Sequence, residues 1–141
     1  MGLTEGIATF IAETHFDNIP KEAINLSKRA FLDCLGVTLA GSREPVSKIL
    51  QEYLMEMGGK PTAAMIGTNL RTSSPWAALA NGTLAHAIDY DDGTGSPLPL
   101  HPSASVLPVI LALGEQSGVP GKQLLEAYII GLEIETKIAA T

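Results

Sequence analysis

The chain has 141 residues, 45% hydrophobic and 17% charged, with 9 basic residues against 15 acidic ones for a formal net charge of −6. That length allows one real core and is short for two ordinary domains. The apolar content excludes a disordered chain, and the acidity argues against a nucleic-acid module, which needs a basic face. Cys34 is the single cysteine, so an internal disulfide and a cysteine-based zinc site are excluded. The longest apolar run, Val106 to Leu113, contains Pro108 and falls far short of the roughly 20 residues a bilayer helix needs. The opening MGLTEGIATF lacks the basic stretch of a secretory signal. The expected setting is therefore cytoplasmic, with no membrane contact.

Most of the chain follows a helical period. Leu3, Ile7, Phe10 and Ile11 predict a short first helix. Pro20 suits the first position of a second, where its missing N–H costs nothing. Ala23, Leu26, Ala30, Phe31, Cys34, Leu35 and Thr38 line its apolar face, and Gly41 is read as its C-cap. A third helix starts near Pro45, with Val46, Ile49, Leu50, Tyr53, Leu54 and Met57 as its stripe, and Gly58-Gly59 ends it. Residues 62–66 read as a brief extended piece with no strand to pair with. Ser74-Pro75 opens a fourth helix, Ser as N-cap and Pro in the first turn. This helix buries Trp76, Leu79 and Leu84, carries Asp89 near its end, and stops at Tyr90-Asp91-Asp92-Gly93. A Gly/Pro-rich loop, GTGSPLPLHP, fills 93–102. Ser103 is read as the cap of a fifth helix that Pro108 should bend. A sixth begins near Gly121 and shows Leu124, Leu125, Tyr128, Ile129, Leu132, Ile134 and Ile138. The prediction is an all-α, bundle-like fold of five to six helices.

The densest polar cluster is His86, Asp89, Asp91, Asp92, Thr94 and His101. His86 and Asp89 are three apart, so on a helix they share a face. Acidic groups at a helix C-terminus oppose its dipole, and such local conflicts often mark functional sites. His101 precedes a helix whose free N–H groups suit an anion. A solvated turn explains the same residues, since Asp91-Asp92-Gly93 is good turn chemistry. A calcium loop counted from Asp89 fails, because position six is Thr94 and position twelve Leu100. A metal held by His86, Asp89 and His101 is chemically possible but lacks a recognised ligand spacing. No G-x-S-x-G elbow is present for a nucleophilic serine. General acid–base work by a carboxylate and a histidine fits the residue types best.

The string Leu79-Ala80-Asn81-Gly82-Thr83-Leu84-Ala85-His86-Ala87-Ile88-Asp89-Tyr90-Asp91-Asp92, followed by His101-Pro102-Ser103 and Val106-Leu107-Pro108, resembles the MmgE/PrpD family. So do Ala127-Tyr128-Ile129-Ile130-Gly131-Leu132-Glu133-Ile134 and the Ala30-to-Val37 helix. The resemblance covers essentially the whole chain. It implies relatives such as 2-methylcitrate dehydratase, which belongs to propionate metabolism, cis-aconitate decarboxylase and iminodisuccinate epimerase. These act on small di- and tricarboxylates without a cofactor or metal. It implies a large helical domain, a smaller α+β lid, usually a homodimer, and an active site between the two domains. Carried over, Asp89 and His101 are the expected catalytic residues and Thr94 an expected substrate contact; His86 and Asp92 of the same cluster, and Ser103 at the helix start, are the further substrate contacts expected from the residues themselves. Gly93 stands where threonine is usual, and the loop is about two residues longer than the family pattern.

Family members are roughly three times longer, the scale at which chains split into several domains. The expectation is thus a single helical unit, residues 1–141, forming an N-terminal portion of a two-domain protein and inactive alone. Its partners would be a small polycarboxylate and either a second copy or the missing C-terminal part, with no nucleic acid. Two other readings stand beside the lyase or isomerase: a non-catalytic helical remnant or interaction subunit, and a metal-dependent hydrolase.

Overall fold

A computed structural model describes residues 2–95 and 99–140. Among them are six α-helices: α1 Leu3–Glu13, α2 Lys21–Gly41, α3 Pro45–Met57, α4 Ser74–His86, α5 Pro102–Ser117 and α6 Gly121–Ala139. A single 3₁₀ turn, Phe16–Asn18, joins α1 to α2. The all-α expectation holds. None of these helices is long and apolar enough to cross a membrane. Part of the Gly/Pro-rich loop, residues 96–98, lies outside the described residues.

The starts and stops follow local chemistry, shifted by a residue at several ends. Pro20 is the N-cap of α2 and not its first residue. Ser73, not Ser74, caps α4, with Pro75 in the first turn. His101, not Ser103, is the N-cap of α5. Gly58 at φ 67 and Gly118 at φ 64 end α3 and α5 in the left-handed region that glycine favours. Gly41 serves a different purpose from the C-cap expected of it. It is the last residue of α2, it does not have positive φ, and a Cβ there would lie 2.0 Å from the Leu84 carbonyl oxygen of α4. Close helix approach, not turn geometry, requires glycine at this position. α5 runs on through buried Pro108, whose missing N–H leaves the helix assignment intact.

α4 and α5 pack centrally, against α2 on one side and α6 beyond α5. The main core cluster joins Cys34 of α2, Ala85 of α4, Leu107 of α5, and Leu125 and Tyr128 of α6. Phe31 meets Tyr128 edge-on with ring centroids 5.6 Å apart. A second cluster puts Leu54 of α3 against Met65, Ala80 and Leu84. Burial pushes the Cys34 thiol up to about 12, which makes it a packing residue and not a nucleophile.

Two further sequence expectations are corrected. The extended piece does find a partner: β1, Ala63–Ala64, pairs antiparallel with β2, Arg71–Thr72, in the register Ala63 to Thr72 and Ala64 to Arg71. Two residues per strand carry no readable period, so the pairing was invisible in the sequence. The apolar stripes are also narrower than predicted. Leu26, Ile49, Tyr53, Met57, Leu79 and Ile138 are exposed, while Ser27 and Ser47 are buried.

Candidate active site

The site forms where α4 ends and α5 begins. His86 is the last residue of α4. The helix stops there, so Asp89 does not share a helical face with His86 as the spacing suggested. It sits three residues past the helix end at φ 51, a non-glycine in the left-handed region, where Asp is one of the few residues tolerated. Its N–H donates to the His86 carbonyl at 3.1 Å. Past this turn Asp91 is buried, while Asp89 stays exposed.

The Asp91 side chain is fully enclosed. His86 Nδ1 lies 2.9 Å from its Oδ1 and 3.2 Å from its Oδ2. His101 Nδ1 lies 3.2 Å from Oδ2, at ion-pair distance but off line for a hydrogen bond. The two imidazoles are 4.5 Å apart, centroid to centroid, at 60°. Both side chains reach solvent, 51% exposed for His86 and 38% for His101. One ligating atom from each of His86, Asp89, Asp91 and His101 falls within 4.8 Å of the others. The bond to Asp91, followed by the Asp91 charge, raises the His86 pKa.

Asp92 turns the other way, toward α5. Its Oδ1 accepts from the Ser103 N–H at 3.1 Å and its Oδ2 from the Ser103 hydroxyl at 2.5 Å. His101 makes no side-chain cap of its own, so Asp92 supplies the anion at the N-terminus of α5. The Ser103 proton goes to the carboxylate, an acceptor only, so the adjoining Tyr128 hydroxyl donates to Ser103 Oγ. Burial lifts the Tyr128 phenol to about 12, so it holds that proton throughout the ordinary pH range. Thr94 ties the neck of the loop: its N–H donates to the Leu100 carbonyl at 3.1 Å, and its hydroxyl accepts from the Leu100 N–H at 3.2 Å.

The structure therefore gathers His86, Asp89 and His101 around one cluster. It places Asp92 and Ser103 behind that cluster, bonded to one another, and Thr94 along the loop on the exposed side. The Ser103 N–H expected to greet an incoming carboxylate already serves Asp92. Sequence reasoning gave Asp91 no separate role and did not anticipate Tyr128 as a polar partner. A tyrosine on a buried helical stripe was the available signal, since a buried hydroxyl needs a partner.

The chain is similar in sequence to known proteins. The chain is 32% identical to the cis-aconitate decarboxylase of Homo sapiens over 141 residues, which is 96% of this chain and 29% of that protein. It is also 32% identical to that of Mus musculus, covering 96% of this chain and 28% of the relative. It is 27% identical to that of Aspergillus terreus, covering 97% and 29%. The chain thus spans less than a third of the length of the relatives it matches. Residues 5–141 match the family model for the MmgE/PrpD N-terminal domain, and the chain belongs to the MmgE/PrpD family.

Proposed function

We propose that the chain is the proton-handling N-terminal part of a cofactor-independent lyase acting on a small di- or tricarboxylate, of the cis-aconitate decarboxylase or 2-methylcitrate dehydratase kind. One observation carries most weight: Asp89 and two solvent-reaching imidazoles meet on the rim of a single cluster. Decarboxylation breaks a carbon–carbon bond, releases carbon dioxide and leaves an electron pair on carbon that a positioned acid must protonate. Dehydration and epimerisation begin instead by removing a proton beside a carboxylate. Both need a carboxylate–imidazole pair within reach of one carbon. Asp89 and His101 take that role, with His86 beside them, Thr94 contacting substrate from the loop, and Asp92 with Ser103 fixing the start of α5.

Residues 72–121 contain no lysine or arginine. A polyanionic substrate needs cations, so these come from outside this segment, and the chain holds only part of an active site. A cytoplasmic setting and a homodimer belong to the same reading. The test is turnover of cis-aconitate and of 2-methylcitrate by the chain alone and by the chain joined to the remainder of a cis-aconitate decarboxylase relative. The expected result is negligible rate alone and measurable rate when joined. A folded but inactive joined protein would favour the non-catalytic helical reading. The four clustered donors also support a metal-dependent hydrolase as a second reading, and metal analysis of the purified chain addresses it.

A further inference from the structure

We propose that Asp91 is the positioning residue of this site: its buried carboxylate holds His86 as the Nδ1–H tautomer, turning Nε2 into a proton acceptor and adding His86 to the proton-transfer groups. This rests on the acid–base reading of the site and deepens it. A neutral imidazole carries one N–H, and an ionised carboxylate can only accept. The ring nitrogen that faces such a carboxylate must therefore carry the hydrogen, since the other tautomer sets lone pair against lone pair. In His86 that nitrogen is Nδ1, 2.9 Å from Oδ1. His101 Nδ1 comes to 3.2 Å from Oδ2 without a hydrogen bond, so its tautomer is not set by this contact.

The burial pattern supports the assignment. Asp91 has no exposure on its side chain, while both rings keep a solvent-reaching part. The nearby Asp92 is engaged by Ser103 and Asp89 lies on the rim, which leaves Asp91 as the carboxylate enclosed between the rings. The direction of the His86 shift, caused first by its bond to Asp91, agrees with a donor at Nδ1.

Nitrogen-15 NMR of the imidazoles tests this on the chain as it stands, with no substrate. The sequence has three histidines, and His15 lies apart in the chain as an internal reference. At a pH where all three rings are neutral, His86 should show a protonated Nδ1 and a lone pair on Nε2, unlike His15. Asp91→Leu, which removes every acceptor at that position, should lose that signature, and Asp92→Asn should keep it. An Nε2–H tautomer of His86 in the unsubstituted chain, an unchanged His86 tautomer in a folded Asp91→Leu chain, or equal loss in Asp92→Asn would each overturn the proposal. If Asp91→Leu does not fold, the unsubstituted spectrum alone decides. Because turnover is not measured, failure here is separable from failure of the lyase reading.

Discussion

Asp89 combines an unfavourable backbone with an exposed carboxylate. Left-handed φ costs a non-glycine residue roughly 1–2 kcal/mol, and Asn occupies that region as readily as Asp. Asp89→Asn should therefore leave the melting temperature nearly unchanged. In the joined, active form its turnover should fall by at least about a hundredfold, the low end of general-base contributions. A turn-forming role predicts an intact rate per folded molecule, because Asn keeps the turn, so the rate separates the two. His86 yields a pH prediction. Its pKa is raised in the folded state by Asp91, above an unfolded value of about 6.5. The stability it contributes is fully present below the unfolded value and is lost as pH rises through the folded one. The thermal advantage of the unsubstituted chain over His86→Gln should shrink across that window, and a constant advantage would count against the pair. The cluster was legible because its members lie close together in the sequence. The opposite destinations of Asp91 and Asp92 were not, because one left-handed residue decides which way each carboxylate points.

At the scale of elements, stripes and punctuation located all six helices within a few residues. Which residues each helix buries was less legible, because burial depends on neighbours that the period does not name. Leu79 follows the period and faces solvent; Asn81 is polar and is buried at 2% exposure. The reason for Asn81 is the small hairpin. Its amide donates to the Ala64 carbonyl at 2.9 Å and accepts from the Ile66 N–H at 2.8 Å, holding β1 against α4. Glu115 of α5 helps from the other side, accepting from the Ala64 N–H and pairing with Arg71. Asn81→Ala removes a donor and an acceptor from two backbone groups at once. At about 1–3 kcal/mol for each unsatisfied buried group, urea unfolding should show a loss of about 2–6 kcal/mol. Asn81→Asp keeps the acceptor for Ile66 but sets a buried carboxylate oxygen against the Ala64 carbonyl, so it should cost at least as much as Asn81→Ala. A loss below about 0.5 kcal/mol, ordinary for a surface substitution, would mean that the hairpin is held by Glu115 alone.

At the scale of the whole molecule, the apolar residues exceed what the described core encloses. None of the α1 residues is buried, and an isolated helix of that length is marginal in water. Phe10 and Ile11 of α1, Val109 and Leu113 of α5, and Ile138 of α6 are all exposed. Two apolar grooves run through this region, one between α1 and α6 lined by Leu3, Ile7, Phe10 and Ile134, the other along α5 and α6 lined by Val106, Val109, Ile110 and Ile130. Exposed apolar surface of this kind favours association, and burying it releases about 25 cal/mol per Å². Sedimentation velocity of the purified chain should therefore show an average mass that rises with concentration. Added salt should not reverse the rise, because the attraction is not between charges. Val109→Glu places a charge on the exposed side of α5 without entering the core, so it should preserve the helical spectrum while shifting the mass toward the monomer. A concentration-independent monomer from the unsubstituted chain would show that these grooves are too shallow or too divided to hold another surface.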